Sequence, residues 1–244
     1  MDLFVSQFAA WAPGLDTPTD WATWAEQADV LDSEASPPVR AVPAMTRRRL
    51  TRWGRLALEV ATSVEGHLAA DAPVIFSSRH GDTQRTQKLL QDLAHEEPLS
   101  PTAFSLSVHN AALGLFTIIQ RITAPSLALA AGRDTFAQAW VEAQGWLAEG
   151  APQVLLVHCD EPLADFYRPD ADEAEMPAAL ALLLSSEPGP GRERVSLSMA
   201  PHSGEPGDVS MMVAFLVWWF GRTPHLEFCT ERTNWHWERE LELP

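Results

Sequence analysis

The chain has 244 residues, of which 46% are hydrophobic and 20% are charged, as in a globular protein with one large domain or two small ones. Its 33 acidic and 17 basic residues give a formal net charge of −16, which repels a phosphate backbone and argues against nucleic acid as a partner. The first residues lack the basic start of a secretory signal, and the longest apolar run, 211–220, has about half the length that a membrane helix needs. We therefore expect a cytoplasmic protein without a membrane span.

The N-terminal segment, residues 1–43, is rich in proline, tryptophan and acidic residues and carries only short strand or loop signals. We predict that it is irregular. A helix is predicted over residues 45–68, where Thr46 is a suitable N-cap residue and the apolar side chains mark an inner side. Five arginines lie between Arg47 and Arg55, and their spacing fits either a solvated helix face or a docking place for an acidic partner.

The next segments are strongly apolar. Residues 72–78 predict a compact strand bounded by proline and serine, and Asp82 is predicted to open a helix. The segment 100–122 is longer and nearly all apolar. A helix that is apolar over most of its circumference belongs either inside a domain or against a partner chain, and both explanations remain open here.

Residues 124–159 are predicted to form a strand, a tight turn, an amphipathic helix and a second strand. This order with short loops predicts a βαβ unit of a mostly parallel or mixed sheet. The turn carries Gly132 and then Arg133 at the start of the helix, where many α/β enzymes keep a nucleophile. Cys159 closes the second strand and is predicted to be a buried structural thiol.

The remainder of the chain begins with an acidic loop, which is followed by two predicted strands around a Pro-Gly turn. Asp208 is predicted to start a short apolar helix, and a tail rich in tryptophan and glutamate ends the sequence. Together these elements predict an α/β fold with a mixed sheet flanked by helices, in one domain. Its predicted parts are the irregular segment (1–43), a core (44–200) and a C-terminal helix and tail (201–244).

Cofactor and metal motifs are absent from the sequence. The two cysteines, Cys159 and Cys229, are too few and too far apart to predict a disulfide framework or a zinc site. The sequence also contains no Gly-x-Gly-x-x-Gly fingerprint, no P-loop and no His-Glu-x-x-His motif. We therefore predict neither a cofactor nor a metal.

An ordered set of residues between 99 and 159 resembles the β-ketoacyl synthases, which have the thiolase-like fold. The matching positions are Ser100, Pro101, Phe104, Ser107, Asn110, Gly114, Thr117 and Ile118, followed by Pro125 and Ser126 of the first βαβ strand. A looser similarity extends from Met45 to Ser185. The resemblance implies a thiolase-like fold that is truncated to roughly the N-terminal half of a ketosynthase.

The sequence departs from this family at the catalytic positions. Arg133 stands where the family places its nucleophilic cysteine, and His158 with Cys159 replace a Gly-Gly pair. The family's catalytic histidines come from a second half of the chain, accompanied by a lysine, whereas Lys88 is the only lysine here and precedes the turn. Acyl transfer through a thioester needs a thiolate, and a guanidinium has no lone pair for attack. No catalytic residue is therefore predicted.

Two explanations for Arg133 remain open. A cation at an exposed helix N-terminus is disfavoured by about 0.3–1 kcal/mol, so a nearby acid must compensate it. Arg133 is either a structural residue paired with Asp134 or with an acid across an interface, or its fork fills a vestigial pocket beside a partner's acyl tunnel.

In lacking a nucleophile at the turn, the sequence resembles the chain-length factors, which form heterodimers with an active ketosynthase. It is similar in particular to the short chain-length-factor-like subunits of aryl polyene biosynthesis. This resemblance implies an active β-ketoacyl-ACP synthase as partner, with the acyl carrier protein engaged indirectly. Small side chains at Ala103 and Ser107 would leave room for a long acyl chain in the partner's tunnel. The implied tunnel and interface positions are Ala103, Phe104, Ser107, Val108, Asn110 and Gly114.

The alternative is an autonomous acyl-thioester enzyme whose catalytic site uses other groups than a cysteine at the turn. Its candidates are His109, His158 with Cys159, and His202 with Ser203. His109 lies in the apolar segment, where a histidine is more often a hydrogen-bonded core residue than a base. His158 and Cys159 are adjacent on a predicted strand and therefore point to opposite faces. We predict that Ser77, Ser78 and His80 are loop and cap residues.

Overall fold

The computed structural model describes residues 1–240, in which eight strands form a single mixed sheet with helices on both faces. The strands are β1 (Asp2–Trp11), β2 (Val74–Ser77), β3 (Ser126–Leu129), β4 (Val154–Asp160), β5 (Ala178–Ser185), β6 (Glu193–Pro201), β7 (His225–Cys229) and β8 (Thr233–Arg239). The α-helices are α1 (Pro18–Gln27), α2 (Ala44–Arg47), α3 (Arg52–Val64), α4 (Thr83–Ala94), α5 (Pro101–Ser105), α6 (Ala111–Gln120), α7 (Thr135–Ala148) and α8 (Met211–Gly221).

The strand order across the sheet is β3-β2-β4-β5-β1-β6-β8-β7. β2 pairs in parallel with β3 on one side and with β4 on the other, and all other pairs are antiparallel. The predicted βαβ unit is confirmed, although its two strands lie on either side of β2. β3 and β7 form the two edges of the sheet.

Apolar side chains cover both faces of the sheet. On one face α3 and α6 pack through residues such as Leu56, Leu58 and Phe116. On the other face α1, α7 and α8 enclose a second cluster around Trp140 and Phe215. Cys159 belongs to the first cluster and is buried, as predicted.

Several helix boundaries differ from the prediction because hydrogen-bonding side chains start the helices elsewhere. The predicted helix over 45–68 is two helices, and the N-cap is Thr51, whose hydroxyl accepts from the Gly54 N–H, instead of Thr46. Ser210 caps α8, two residues after the predicted start at Asp208. The apolar segment 100–122 is likewise divided into α5 and α6. The cap of α4 at Asp82 is confirmed.

The expectation that residues 1–43 are irregular is wrong for the part that forms β1 and α1, whereas residues 28–43 contain no helix or strand. β1 lies inside the sheet, between β5 and β6, with Leu3 and Val5 buried. α1 begins with a capping box in which Thr17 and Asp20 satisfy each other's backbone N–H groups. Strand pairing with distant residues determines β1, and the local sequence carries little of that signal.

The predicted C-terminal tail is also more regular than expected. β7 and β8 form a hairpin whose Trp235 and Trp237 side chains are buried against α7 and α8. The last four residues of the predicted tail, 241–244, lie outside the described residues. None of the helices in the part of the chain that the structure describes is long and apolar enough to cross a membrane.

Candidate functional site

β2, β3 and β4 run parallel, so their carboxyl termini lie together at the same end of the strands. Between β3 and α7 the chain turns sharply at Gly132, whose φ of +63° favours glycine. Arg133 follows this turn and precedes the first residue of α7 by two positions. We call this place, where β3 passes into α7, the corner.

Arg133 is buried at the corner and is paired with acids of its own chain. Its Nε lies 2.6 Å from Glu173 Oε2 and its Nη1 lies 3.0 Å from Glu231 Oε1, while Nη2 donates to the Gly207 carbonyl. The structure therefore shows Arg133 as a residue paired with acids of its own chain.

The predicted pairing with Asp134 is wrong. Asp134 Oδ1 accepts from the Thr230 hydroxyl and from the Trp235 indole, each at 2.7 Å. These two donors belong to the β7–β8 hairpin, whose contribution to the corner sequence reasoning missed. Asp134 thereby connects the first turn of α7 to that hairpin.

A second arginine binds the same acidic loop. Arg79, which follows β2, places Nη1 2.8 Å from Glu173 Oε1 and Nη2 2.8 Å from Asp172 Oδ2. His80 Nε2 lies 3.4 Å from Glu175 Oε1. Burial raises the pKa of the Glu173 carboxyl, although both guanidinium groups act to lower it. We call residues 170–175, which cross the corner in this way, the acidic strap.

Below the strap, Ser77, His158 and Asp160 form a buried hydrogen-bonded chain. Ser77 Oγ lies 2.8 Å from His158 Nδ1, and His158 Nε2 lies 3.1 Å from Asp160 Oδ2. Burial acts to raise the pKa of Asp160, but hydrogen bonds from His158 and Ser78 outweigh it and hold that pKa below 3.8. Sequence reasoning assigned Ser77 and Ser78 to a loop and missed this network, because it joins residues about 80 positions apart.

These side chains resemble a hydrolytic triad in type only. All three residues are buried, so a substrate has no access to the serine. The Ser77 hydroxyl also lies 3.2 Å from the Val157 carbonyl, which ties it to β4. His158 and Cys159 point to opposite faces of β4, as predicted. This network therefore holds the ends of β2 and β4 together.

The other predicted catalytic candidates are also engaged in structural contacts. His109 Nε2 lies 2.8 Å from the Ser78 carbonyl, which matches a hydrogen-bonded core histidine. His202 Nδ1 lies 2.7 Å from the Thr230 carbonyl and 3.3 Å from Cys229 Sγ. A nitrogen that donates to a carbonyl has no lone pair with which to deprotonate a thiol. Ser203 is hydrogen-bonded to Asn234 and not to His202.

The predicted tunnel and interface positions lie on α5, on α6 and on the segment between them. Phe104, Val108 and Ile118 are 63%, 51% and 75% exposed, which is unusual for such large apolar side chains. Asn110 is exposed as well, whereas Ala103, Ser107 and Gly114 are half-buried. Only one side of α6, formed by Ala112, Leu113 and Phe116, is buried. Burial inside the chain thus accounts for only part of this apolar segment.

The arginines between 47 and 55 divide into two groups. Arg52 is paired with Glu161 at 2.6 Å, and Arg55 donates to backbone carbonyls. Arg48 and Arg49 are exposed. Arg52 and Arg55 therefore form the structural group, and Arg48 and Arg49 form the solvated group.

The fold agrees with a comparison of the sequence to known families. Residues 21–238 match the β-ketoacyl synthase N-terminal domain. The chain belongs to this family. The predicted thiolase-like α/β fold with its mixed, helix-flanked sheet is thereby confirmed. Among curated proteins none matches the chain.

Solved structures give a second comparison. The chain is similar to a chain in the complex of the ketosynthase ApeO with its chain length factor ApeC from Xenorhabdus doucetiae, with 29% identity and a TM-score of 0.85 over 98% of this chain and 100% of that one. The ishigamide ketosynthase/chain length factor (15% identity, TM-score 0.63, 82% and 68% covered) has the same fold. So does the ketosynthase complex AntDE:AntF, with 14% identity, a TM-score of 0.67 and 82% and 70% covered.

No group of three or more histidine, cysteine, aspartate or glutamate side chains within residues 1–240 is placed to hold a metal ion. The corner instead contains ion pairs and hydrogen bonds among residues of the chain itself.

Proposed function

We propose that this chain is a non-catalytic, chain-length-factor-like subunit. It forms a heterodimer with an active β-ketoacyl-ACP synthase and shapes the acyl tunnel in aryl polyene or related polyketide and fatty acid synthesis. The observation that carries the proposal is Arg133 at the corner, bound to two carboxylates of its own chain. A guanidinium in this environment stays protonated and cannot accept an acyl group.

The surface around α6 supports a partner chain. Phe104, Val108 and Ile118 all belong to the segment 100–122 and expose apolar area that water solvates poorly. Exposed apolar surface of this kind is typical of interaction sites. β3 forms the neighbouring edge of the sheet, where its outer backbone groups remain available for another strand. A synthase that adds a strand to β3 and packs on α6 would cover both features.

The similarity to the ApeO–ApeC complex supports the same proposal. The matched chain of that complex is covered completely, whereas the two more distant complexes are covered to 68% and 70%. The likeness to that chain therefore extends over the whole of it, whereas the other two are matched in part. Under this proposal the carrier protein would bind mainly to the synthase, and the exposed Arg48 and Arg49 are the residues of this subunit that we would test for contact with it.

Co-expression with a ketosynthase tests the proposal directly. We expect the two chains to co-purify, and we expect the single chain to form no covalent acyl intermediate with acyl thioesters, as measured by intact-protein mass spectrometry. Acyl transfer by the single chain at a rate typical of a ketosynthase would refute the non-catalytic role.

The tunnel role makes a separate prediction for product length. Ala103 and Ser107 are half-buried at the start of the apolar segment, so Ala103→Phe or Ser107→Phe would add a ring to the tunnel wall. We expect either change to shorten the dominant product, as measured by mass spectrometry of the reconstituted synthase.

Thr102→Phe is the matched control, because Thr102 lies about 100° around the α5 axis from Ala103. An unchanged product distribution in both Ala103→Phe and Ser107→Phe, with complexes that still assemble, would show that this segment does not determine length.

A further inference from the structure

The acidic strap is held against the corner by basic residues that follow two different strands. Arg79 and His80 follow β2, and Arg133 follows β3. Glu173 lies between the two guanidinium groups and gives one carboxylate oxygen to each, at 2.8 and 2.6 Å. Because Glu173 is buried, these contacts are shielded from water and from salt.

We propose that Arg133 acts as a clasp that keeps the acidic strap closed over the corner. The contacts of the guanidinium group at the corner are thereby all made with groups of the chain itself. The function assigned to this clasp rests on the proposed non-catalytic role, but the test of the clasp does not depend on that role.

The geometry of arginine suits this task. Its three nitrogens contact three separate segments, through Glu173 on the strap, Glu231 on the β7–β8 turn and the carbonyl of Gly207. A planar fork with fixed donor directions can hold three acceptors at once, whereas a lysine ammonium on a flexible stem is a single point charge. Arg133 therefore joins the strap to two parts of the chain that are distant in sequence.

The part of this loop before the strap is anchored separately, because Ala164 is buried and its N–H donates to the Thr83 hydroxyl. The residues between that anchor and the strap are more exposed. Phe166 is 70% exposed, and the pair between Arg168 and Asp165 lies in solvent, where ion pairs contribute little.

The strap itself adds two backbone hydrogen bonds, from Ala174 to Asp208 and from Ser210 to Ala174. Within the strap, Arg79 also holds Asp172 and His80 lies near Glu175, but Glu173 is the residue that joins the strap to Arg133. Loss of the Arg133–Glu173 pair should therefore loosen the strap locally.

Hydrogen exchange of the full chain, followed by mass spectrometry at neutral pH, tests the clasp. In Arg133→Met, which keeps an unbranched apolar stem and removes the guanidinium group, we expect exchange in residues 170–175 to become at least about tenfold faster. Exchange in β5 should stay within about twofold of the wild type, because a local opening leaves the middle of the sheet intact. Equal acceleration in β5 and in the strap would indicate global destabilisation and would overturn the proposal.

Two further variants make the test decisive. Arg168→Met removes an exposed arginine from the same loop and should leave strap exchange unchanged. Glu173→Gln keeps the shape of the side chain and should also accelerate strap exchange, so it provides the result if Arg133→Met does not fold. The clasp is refuted if strap exchange in folded Arg133→Met stays within twofold of the wild type, whatever Glu173→Gln does. If Arg133→Met does not fold, strap exchange within twofold of the wild type in Glu173→Gln refutes it.

The outcome is separable from the proposed function. Failure of the wild-type chain to co-purify with a synthase would remove the heterodimer and leave the clasp in place. Unchanged exchange would remove the clasp and leave the heterodimer in place.

Discussion

Replacing Ile118 with glutamate is expected to abolish stable association with a ketosynthase. The Ile118 side chain is 75% exposed on α6, so its replacement removes little packing within the chain and should leave the fold intact. In the proposed heterodimer the same position is covered, and an unpaired carboxylate there would cost several kcal/mol. We expect affinity to fall by at least about 100-fold, measured by titration of the synthase or by co-purification.

Met199→Glu is the matched control for this experiment. Met199 is an apolar residue of similar exposure, 67%, but it lies on β6, away from α6 and β3. It should leave association unchanged, and both variants should keep the thermal midpoint of the wild type within a few degrees. Equal affinity of Ile118→Glu and the wild type would mean that α6 does not contact the synthase.

The second large effect is expected from Asp160→Asn. The buried Asp160 carboxylate contacts three donors, which are the Ser78 hydroxyl at 2.7 Å, the Arg79 backbone N–H at 2.9 Å and His158 Nε2 at 3.1 Å. Asparagine has the shape of aspartate, but an amide NH2 group replaces one carboxylate oxygen. Because that group is itself a donor, it would face at least one of the three donors around position 160, and that contact would become repulsive. We expect the free energy of unfolding to fall by about 2–4 kcal/mol, measured by urea denaturation.

The effect of this substitution should depend on pH. The pKa of Asp160 is lower in the folded chain than its ordinary value of 3.8, so folding stabilises the carboxylate form. This contribution is complete above 3.8 and is lost as the pH falls through the lowered value. The difference in unfolding free energy between the wild type and Asp160→Asn should therefore be constant near neutral pH and shrink in strong acid.

Asp165→Asn is the control, because Asp165 is exposed and paired only with Arg168 at the surface. Its unfolding free energy should match that of the wild type within about 0.5 kcal/mol. If Asp160→Asn is as stable as this control at neutral pH, the network of Ser77, His158 and Asp160 contributes nothing to stability.

The sequence predicts those elements whose signals are local. β2, α4 with its Asp82 cap, α7 and β4 all lie where apolar spacing and capping residues indicate. β1 was missed because its ten residues contain polar and small side chains that are half-buried rather than cleanly alternating. Only pairing with β5 and β6 makes this segment a strand, and that pairing depends on residues far along the chain.

The candidate site likewise has some features that the local sequence predicts and others that it does not. The position of Arg133 after a strand and before a helix follows from the local pattern, and the structure places it there. Its partners, Glu173 and Glu231, lie 40 and 98 residues away in the sequence. Asp134, the adjacent acid, was the natural candidate, but its carboxylate is turned toward Thr230 and Trp235. Contacts of this range are set by the tertiary fold, and a single sequence carries no signal for them.

The position of β1 has a consequence for how the protein is made. Leu3 pairs with Val195, and Val5 pairs with Leu184, so β1 is synthesised long before the strands that flank it. Until β5 and β6 have been synthesised, the backbone N–H and C=O groups of β1 have no strand partners, which slows folding and favours aggregation. A change that crowds β1 would therefore disturb the middle of the sheet and not its edge strands.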